Sequence, residues 1–448
     1  MWGDGLQLFW LCTLIAPNVL ADVAARDADV AYVRMRRVLV LGGTQFMGRL
    51  LVERLLDTSI EGHGVHFEVT LMNRGVTYNP FSDDQRVRHL RCDRIHGREE
   101  CVSNLQSIPW IWDAVVDFTA FHPLQIQDLR IGLTRLNVTT GLQFLAVRQY
   151  VYISTDSVYM STATPKHDGF MKETDDVAPD ASYVSFLKSK NEYQYNYGNL
   201  KRQCEVSLQG RGDDPPFPYT VLRLPDVFGP YDNQGAWPEL QHLLIHSEQG
   251  VPAGIASNLM RQRPEASPHW QQLHARVDAN NFTFSIVYAP DVAEAIMQIL
   301  RKGFNGVREI FNVADDEPVS LLALLQTIGA ALSIRQINID FVSKSLLPST
   351  DFGPINASKF MTAYPEWRPT RRRSWAMYLV EWYKDPLHMS YHRDVRSAGK
   401  STSSSERSKS PVKTLPKKNR RRNKRGKSSN KKSQRSSTRL RKKQKLEL

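Results

Sequence analysis

The sequence predicts an α/β protein with a doubly wound parallel sheet, a smaller C-terminal lobe and a disordered basic tail. Short apolar runs typical of buried strands alternate with segments whose apolar residues recur at helical spacing. The chain between successive strands is long enough for helical crossovers, which predicts parallel pairing. Residues 393–448 hold 22 lysines and arginines against three acids and no aromatic residue. Such a segment cannot bury enough apolar surface to fold.

Six strands are predicted before the C-terminal lobe, at residues 38–41, 67–72, 87–91, 112–118, 150–154 and 219–224. A helix is expected after the first strand because Phe46, Leu50, Leu51 and Leu55 recur at helical spacing. Two further strand–helix pairs are predicted, at 284–288 with 291–301 and at 309–313 with 320–332. Residues 250–281 are polar and irregular, which indicates a flap or insertion.

These elements predict a main domain at residues 35–385, with a substrate lobe formed mainly by 228–283 and 305–385. Residues 1–34 form a leader that contains an apolar run, Leu6–Leu20, and a sequence resembling a signal-peptidase site, Val19-Leu20-Ala21. No lysine or arginine precedes this run, and it is short for a stable membrane span. A signal peptide would place the chain in the secretory pathway. An uncleaved leader or a start near Met35 would place it in the cytoplasm or nucleus.

The four cysteines are Cys12, Cys92, Cys101 and Cys204. They form neither a C-x-x-C pair nor a cluster with the spacing of metal ligands. In a chain of 448 residues we therefore expect ordinary reduced side chains and no metal site.

A glycine-rich turn follows the first strand and precedes the first helix. At such a turn, the helix N-terminus offers unpaired N–H groups and a positive dipole to a diphosphate. Gly42 would form the turn and Gly48 would let the helix pack on the strand, while Gln45 replaces the usual middle glycine. The pattern predicts a Rossmann-type NAD(P) site around Gly42, Gly43, Thr44, Gln45, Phe46, Met47 and Gly48.

Five more positions are expected at the cofactor because they follow predicted strands. Asn73 and Arg74 stand where a carboxylate would bind the ribose of NAD, and a guanidinium suits the 2′-phosphate of NADP. This slightly favours NADP over NAD, although a solvated arginine is an equally simple interpretation. Asp93 could accept a hydrogen bond from the adenine amino group. Thr119 and Ala120 provide small side chains beside the cofactor.

The candidate catalytic residues lie after the fifth strand. Tyr197 and Lys201 are four residues apart, which places phenol and ammonium on one face of a helix. The ammonium is expected to lower the pKa of the phenol and make it available as a base. Thr155 ends the fifth strand at the edge where ligands bind in open sheets, and it could hydrogen-bond a substrate oxygen.

The order of these motifs resembles the NAD-dependent epimerase/dehydratase family of extended short-chain dehydrogenases/reductases, and the resemblance covers residues 35–385. It rests on the glycine turn, Ser154–Tyr159, the tyrosine–lysine pair, Leu222–Pro230 and Phe311-Asn-Val. It implies a catalytic set of Thr155, Tyr197 and Lys201 and contacts from Leu224 and Val227 to the nicotinamide. Asp156 matches an acid of the family's dehydratases, but Ser157 replaces their glutamate. Without that glutamate, 4,6-dehydration is not the favoured reaction.

The resemblance implies hydride transfer on a nucleotide sugar or a similar hydroxy or keto substrate. A glycine turn without its middle glycine resembles that of an atypical subgroup of the family, which includes RNA-binding proteins. An alternative is therefore an RNA-associated protein that binds NAD(P) without turnover, with residues 413–445 contacting nucleic acid nonspecifically. A homodimer is a further expectation. Asn137-Val-Thr predicts a surface loop, or a glycosylation site if the chain is secreted.

Overall fold

The computed structural model describes residues 34–57, 65–162, 170–210, 217–235, 237–238, 240–241, 275–278, 283–303, 308–334, 339–342, 353–385 and 388. The leader before residue 34, most of the predicted 250–281 flap and the predicted tail lie outside the described residues.

Seven parallel strands form the central sheet, in the order β3-β2-β1-β4-β7-β8-β13. Their bounds are β1 Arg34–Leu41, β2 Val65–Asn73, β3 Val87–Arg91, β4 Ala114–Asp117, β7 Tyr150–Thr155, β8 Tyr219–Leu224 and β13 Glu309–Asn312. Strand order reverses at β1, so the carboxyl ends of β1 and β4 open a crevice. This confirms the predicted doubly wound sheet.

Eight helices are described: α1 Phe46–Leu56, α2 Arg98–Gln106, α3 Pro123–Leu133, α4 Ala181–Leu208, α5 Ala289–Lys302, α6 Leu321–Ala331, α7 Ser358–Ala363 and α8 Arg372–Trp382. Alternate residues of β1 contact different helical layers. Val38 and Val40 share a core with residues of α1 and α5, whereas Leu39 and Leu41 share one with residues of α3 and α4. Each such buried aliphatic side chain stabilises the fold by about 1.5–3 kcal/mol.

Four smaller two-stranded sheets flank the central one: β5 Thr134–Leu136 with β6 Gln143–Leu145, β9 Asp226–Phe228 with β12 Ile286–Tyr288, β10 Ala275–Asp278 with β15 Ile339–Val342, and β11 Thr283–Phe284 with β14 Val319–Ser320. The predicted single strand at 284–288 was therefore wrong. It divides at Ser285, whose hydroxyl accepts a hydrogen bond from the N–H of Ile355 at 3.0 Å. The predicted strand at 112–118 is also shorter, because Trp112 instead bridges to Val147.

A cluster of stacked aromatic rings holds β9 and β12 against α8. Trp375 of α8 lies in the middle of this cluster, with its ring centroid 5.6 Å from that of Tyr288, 6.3 Å from Phe228 and 5.4 Å from Trp237. The cluster fixes the chain that follows β8, which borders the crevice. In the described part of the chain, no helix has the length and apolarity that a membrane crossing requires.

Cys92 and Cys101 form a disulfide, so the prediction of reduced cysteines was wrong for this pair. Cys92 directly follows β3, and Cys101 lies in the first turns of α2. The tight connection between strand and helix brings their Cα atoms to 5.1 Å, within the range that a disulfide spans. A separation of nine residues carries no motif that would have indicated the pairing. Cys204 is free and buried.

Candidate active site

The glycine turn is shaped by two close approaches that leave no room for side chains. Gly42 has a φ of +87°, and a Cβ built on it would lie 2.4 Å from Cγ2 of Thr119. A Cβ on Gly48 would lie 2.1 Å from the carbonyl oxygen of Gly42. The N-terminal turn of α1 is therefore pressed against the end of β1, and both against the end of β4. These close approaches agree with the packing expected of Gly42 and Gly48, and their contact with a cofactor stays a prediction.

Gln45 occupies the N-cap of α1. Its Oε1 accepts a hydrogen bond from Nδ2 of Asn233 at 3.1 Å. Its Nε2 is buried and has no hydrogen-bond partner among the described residues. The first N–H groups of a helix also lack partners within the helix. This end of the crevice thus offers several donors to an acceptor, and a cofactor diphosphate fits that requirement.

The loops after β2 and β3 lie side by side. Oδ1 of Asn73 accepts the N–H of Gly75 at 2.9 Å, and Arg74 is exposed. Burial alone would raise the pKa of Asp93, but hydrogen bonds from the N–H groups of Ile95 and His96 and the charge of Arg74 lower it. Asp93 is therefore ionised at neutral pH, and its contact with adenine stays a prediction.

A buried ion pair, which the sequence did not lead us to predict, supports Thr119 and Ala120 beside the glycine turn. Asp117, at the end of β4, is fully buried and accepts hydrogen bonds from Arg94 at 2.8 Å and from the hydroxyl of Tyr150 at 2.7 Å. It also accepts the N–H of Thr119 at 2.8 Å and of Ala120 at 3.0 Å. These bonds hold Thr119 and Ala120 in place. The position of Asp117, an acidic residue at the end of an apolar strand, is the sequence feature that could have indicated this ion pair.

Tyr197, Lys201 and Thr155 come together at the carboxyl end of β7. The hydroxyl of Thr155 lies close enough to the phenol of Tyr197 to influence its pKa. Lys201, one turn further along α4, donates from Nζ to the carbonyl oxygens of Ile153 at 2.7 Å and Ala120 at 3.1 Å. The helix approaches this closely because residue 198 is glycine: a Cβ there would lie 2.0 Å from the carbonyl oxygen of Ser157.

The pKa values of this group differ from the sequence-based expectation. The pKa of Tyr197 is raised to about 12, chiefly by burial and further by the charge of Asp156, although the neighbouring Thr155 hydroxyl lowers it. Burial lowers the pKa of Lys201 to about 8. The expected lowering of the phenol pKa was wrong for the free protein, because loss of solvent outweighs the neighbouring cation.

A hydrogen-bonded chain extends from Thr155. Its hydroxyl lies 3.2 Å from Oγ of Ser157 and 3.4 Å from Oδ1 of Asp156. Nε2 of Gln194, on the same helix as Tyr197, donates to Oγ of Ser157 at 2.6 Å. Burial and then the charge of Asp226 raise the pKa of Asp156 well above its usual value, which favours the protonated form of this carboxyl.

The sequence profile of the NAD dependent epimerase/dehydratase family matches residues 38–314. The chain belongs to this family of enzymes. The predicted resemblance is therefore confirmed, together with a Rossmann-type NAD-binding architecture.

The family's named relatives are distant. The bovine (Bos taurus) dTDP-D-glucose 4,6-dehydratase is 24% identical over 250 residues, which are 54% of this chain and 57% of that protein. The mouse (Mus musculus) protein of the same name is 22% identical over 373 residues, covering 79% of this chain and 90% of that protein. The chain thus matches little more than half the length of the bovine relative and 58% of the human (Homo sapiens) one.

Solved structures with the same fold include a UDP-glucuronic acid 4-epimerase from Bacillus cereus in complex with NAD. It has a TM-score of 0.51 and 16% identity and covers 78% of this chain and 98% of its own. A dTDP-glucose 4,6-dehydratase from Bacillus anthracis in complex with NAD has a TM-score of 0.51 and 18% identity, covering 78% and 96%. At these identities the similarity establishes the fold.

The structure thus brings most of the predicted site residues to one edge of the sheet. Leu224 pairs with Thr155 across β7 and β8, and Val227 follows on β9; their contact with nicotinamide stays a prediction. Sequence reasoning missed Gln194, although its position three residues before Tyr197 places it on a shared helix face. Among the described residues, no group of three or more His, Cys, Asp or Glu side chains could hold a metal ion.

Proposed function

We propose that this protein is an NAD(P)-dependent epimerase or reductase that acts on a hydroxyl or carbonyl group of a nucleotide-linked sugar. The observation that carries the proposal is the meeting of Tyr197, Thr155 and Lys201 at the edge of the sheet that also carries the glycine turn. One strand, β4, separates the strand of the turn from the strand of Thr155. This spacing suits a dinucleotide lying across the crevice.

The residues present fit a dinucleotide cofactor. Gly42 and Gly48 let the N-terminus of α1 pack closely on the ends of β1 and β4, where its N–H groups could bind a diphosphate. Nε2 of Gln45 is a buried donor without a partner among the described residues. Thr119 and Ala120 would flank the cofactor, and Leu224 and Val227 would contact its nicotinamide end. When bound, the cofactor supplies hydride acceptance and hydride return.

Tyr197 would move the proton that accompanies the redox step. With a pKa of about 12, the phenol is protonated at neutral pH and can donate to a substrate carbonyl. In the opposite direction it must first lose a proton, which the ammonium of Lys201 favours while it stays charged. The hydroxyl of Thr155 lies beside the phenol and would orient the same substrate oxygen.

Ser157 supports epimerisation or reduction over 4,6-dehydration. Dehydration requires one group to remove a proton and another to protonate the departing hydroxyl. The raised pKa of Asp156 favours its protonated form, which could supply a proton. The Ser157 hydroxyl cannot accept one at neutral pH as a carboxylate would, and it is already bonded to Gln194 and Thr155.

Arg74 supports NADP as the preferred cofactor. Its guanidinium is exposed beside Asp93, in the loop that follows β2. A 2′-phosphate at this position would gain a charge-assisted hydrogen bond from the guanidinium, whereas NAD has no group there to use it.

The proposal is tested with the full-length chain, NADP(H) or NAD(H), and a panel containing dTDP-glucose, UDP-glucose and UDP-glucuronic acid. We expect a 4-epimer or a reduced sugar from at least one of them, and a loss of about 10²–10⁴ in kcat for Tyr197→Phe with cofactor affinity unchanged. A 4-keto-6-deoxy product would contradict the preference for epimerisation or reduction over dehydration. Cofactor binding without turnover of any sugar would instead favour the RNA-associated alternative.

Two further parts of the proposal concern partners. We expect residues 413–445 to bind nucleic acid without sequence preference, because 22 basic residues lie in the last 56, and this binding should weaken steeply as salt increases. We also expect a homodimer, which sedimentation at several protein concentrations would test. A monomer at all concentrations would contradict it.

A further inference from the structure

The hairpin formed by β5 and β6 exposes apolar side chains at the surface. Leu136 is 61% exposed, Val138 93% and Leu142 68%, all within seven consecutive residues. The hairpin itself is firmly attached, because Arg135 donates hydrogen bonds to the carbonyl oxygens of Leu105 at 2.7 Å and Ile108 at 3.1 Å. A fixed, exposed apolar tip is costly in water unless something covers it.

The tip of the same hairpin carries an acceptor sequence for N-glycosylation, Asn137-Val138-Thr139. Asn137 is exposed. Its Oδ1 accepts the N–H groups of Thr139 at 2.9 Å and Thr140 at 3.1 Å. The turn is thus held through the amide oxygen, whereas glycosylation modifies the amide nitrogen. The side chain is fixed and accessible without that nitrogen being needed to maintain the turn.

Two other acceptor sequences provide a comparison. Asn356-Ala-Ser358 is only partly exposed, and Asn356 is held at both ends: its N–H donates to the carbonyl oxygen of Met171 at 2.8 Å, and its Oδ1 accepts from the hydroxyl of Ser358 at 2.5 Å. Asn281-Phe-Thr283 has its asparagine outside the described residues. Of the two acceptor asparagines in the described part of the chain, Asn137 alone is exposed.

The disulfide between Cys92 and Cys101 indicates the compartment. Disulfides persist in oxidising environments such as the secretory pathway and are rare in the cytosol. Glycans are added to asparagine in the same secretory compartment. The apolar run Leu6–Leu20, followed by Val19-Leu20-Ala21, offers a signal for entry into that pathway. The disulfide therefore favours the signal-peptide interpretation among the three that the sequence left open.

We propose that the chain enters the secretory pathway and that Asn137 receives an N-linked glycan there. The donor would be a polyprenyl-diphosphate-linked oligosaccharide. The bond between Nδ2 of Asn137 and the anomeric carbon forms as the bond from that carbon to the diphosphate oxygen breaks. The electron pair leaves with the diphosphate, and the amide loses one proton to a base. The glycan would cover Val138 and Leu142 and make the hairpin tip hydrophilic.

The test is expression of the full-length chain, with its own leader, in a eukaryotic secretory cell. We expect treatment with peptide-N-glycosidase to lower the apparent mass by one step, and expect Asn137→Gln and Thr139→Ala to remove that step. Thr139→Ser preserves the acceptor sequence and should keep it. Asn356→Gln and Asn281→Gln should leave it unchanged. Mass spectrometry after deglycosylation in heavy-oxygen water would locate the label at position 137.

Three outcomes would overturn the proposal. One is a chain that the glycosidase does not change, and another is a shift that persists in Asn137→Gln and disappears in either of the other two asparagine variants. The third is quantitative alkylation of Cys92 and Cys101 in the unfolded chain without prior reduction, which would show that the chain had not met an oxidising compartment. All three readouts are independent of turnover, so they remain valid whether or not a sugar substrate is found.

Discussion

The two ends of the crevice are built in different ways. The glycine turn depends on absent side chains: a single Cβ on Gly48 would lie 2.1 Å from a backbone oxygen. The tyrosine end depends on buried polar groups, where Lys201 is 2% exposed and Asp156 5%. Steric requirements of the first kind are visible in a sequence as glycines between a strand and a helix. Electrostatic ones are not, because the pKa of a side chain depends on burial that only the folded chain determines.

The largest expected effect is that of Gly48→Ala, which tests the steric requirement at the glycine turn. The added methyl group would overlap the carbonyl oxygen of Gly42, and a backbone atom cannot move aside cheaply. We expect the free energy of unfolding to fall by about 3 kcal/mol and cofactor binding to be lost. Urea unfolding and calorimetry with NADP would measure both.

The matched control is Gly97→Ala. Gly97 lies at the start of a helix as Gly48 does, at the N-cap of α2, but a Cβ there would meet its nearest atom at an ordinary 3.4 Å. This variant should differ from the wild type by less than about 1 kcal/mol. Equal destabilisation by the two substitutions would mean that the close approach at Gly48 is not what shapes the turn.

The second prediction tests the tyrosine end of the crevice through the pKa of Lys201. This pKa is about 8 in the folded protein, whereas its ordinary value is 10.5. Between these values the unfolded chain holds a proton that the folded chain has released, so the free energy of unfolding should rise with pH. We expect a rise of about 3 kcal/mol over the whole range. Unfolding measured from pH 7 to 11 in wild type and Lys201→Met isolates this contribution, because the variant lacks the titrating group. Parallel curves would show that Lys201 titrates normally.

The same contrast explains what the sequence could and could not predict. The inner strands of the central sheet were predicted because both faces are buried, which leaves apolar runs such as Tyr150–Ile153. The Cys92–Cys101 pair was missed because its spacing carries no motif; only the packing of α2 beside β3 brings the two residues together. Ser285 divides a predicted strand because of a contact with Ile355, which is 70 residues away. The raised pKa of Tyr197 likewise required knowledge of its burial.

Gln45 shares a feature with each end of the crevice. It lies in the glycine turn, and it carries a buried polar atom, as the residues of the tyrosine end do. If its free Nε2 donates to the cofactor diphosphate, Gln45→Ala should weaken cofactor binding by about tenfold, the value of one hydrogen bond to a charged group. Asn233→Ala is the control, because it removes the partner of Oε1 and leaves Nε2 in place. An equal loss of affinity in both variants would assign the effect to the Gln45–Asn233 bond instead.

The smallest expected effect concerns Arg74, whose guanidinium is exposed, unlike the buried ammonium of Lys201. Solvent screens an exposed guanidinium, so its bond to a 2′-phosphate should contribute only about 1 kcal/mol. Arg74→Ala should therefore weaken NADP binding about fivefold and leave NAD binding unchanged, because NAD has no phosphate at that position. Calorimetric titration of both cofactors into wild type and variant measures the preference directly. If both affinities fell together, Arg74 would be supporting the loop through its attraction to Asp93, and the preference for NADP would lose its physical basis.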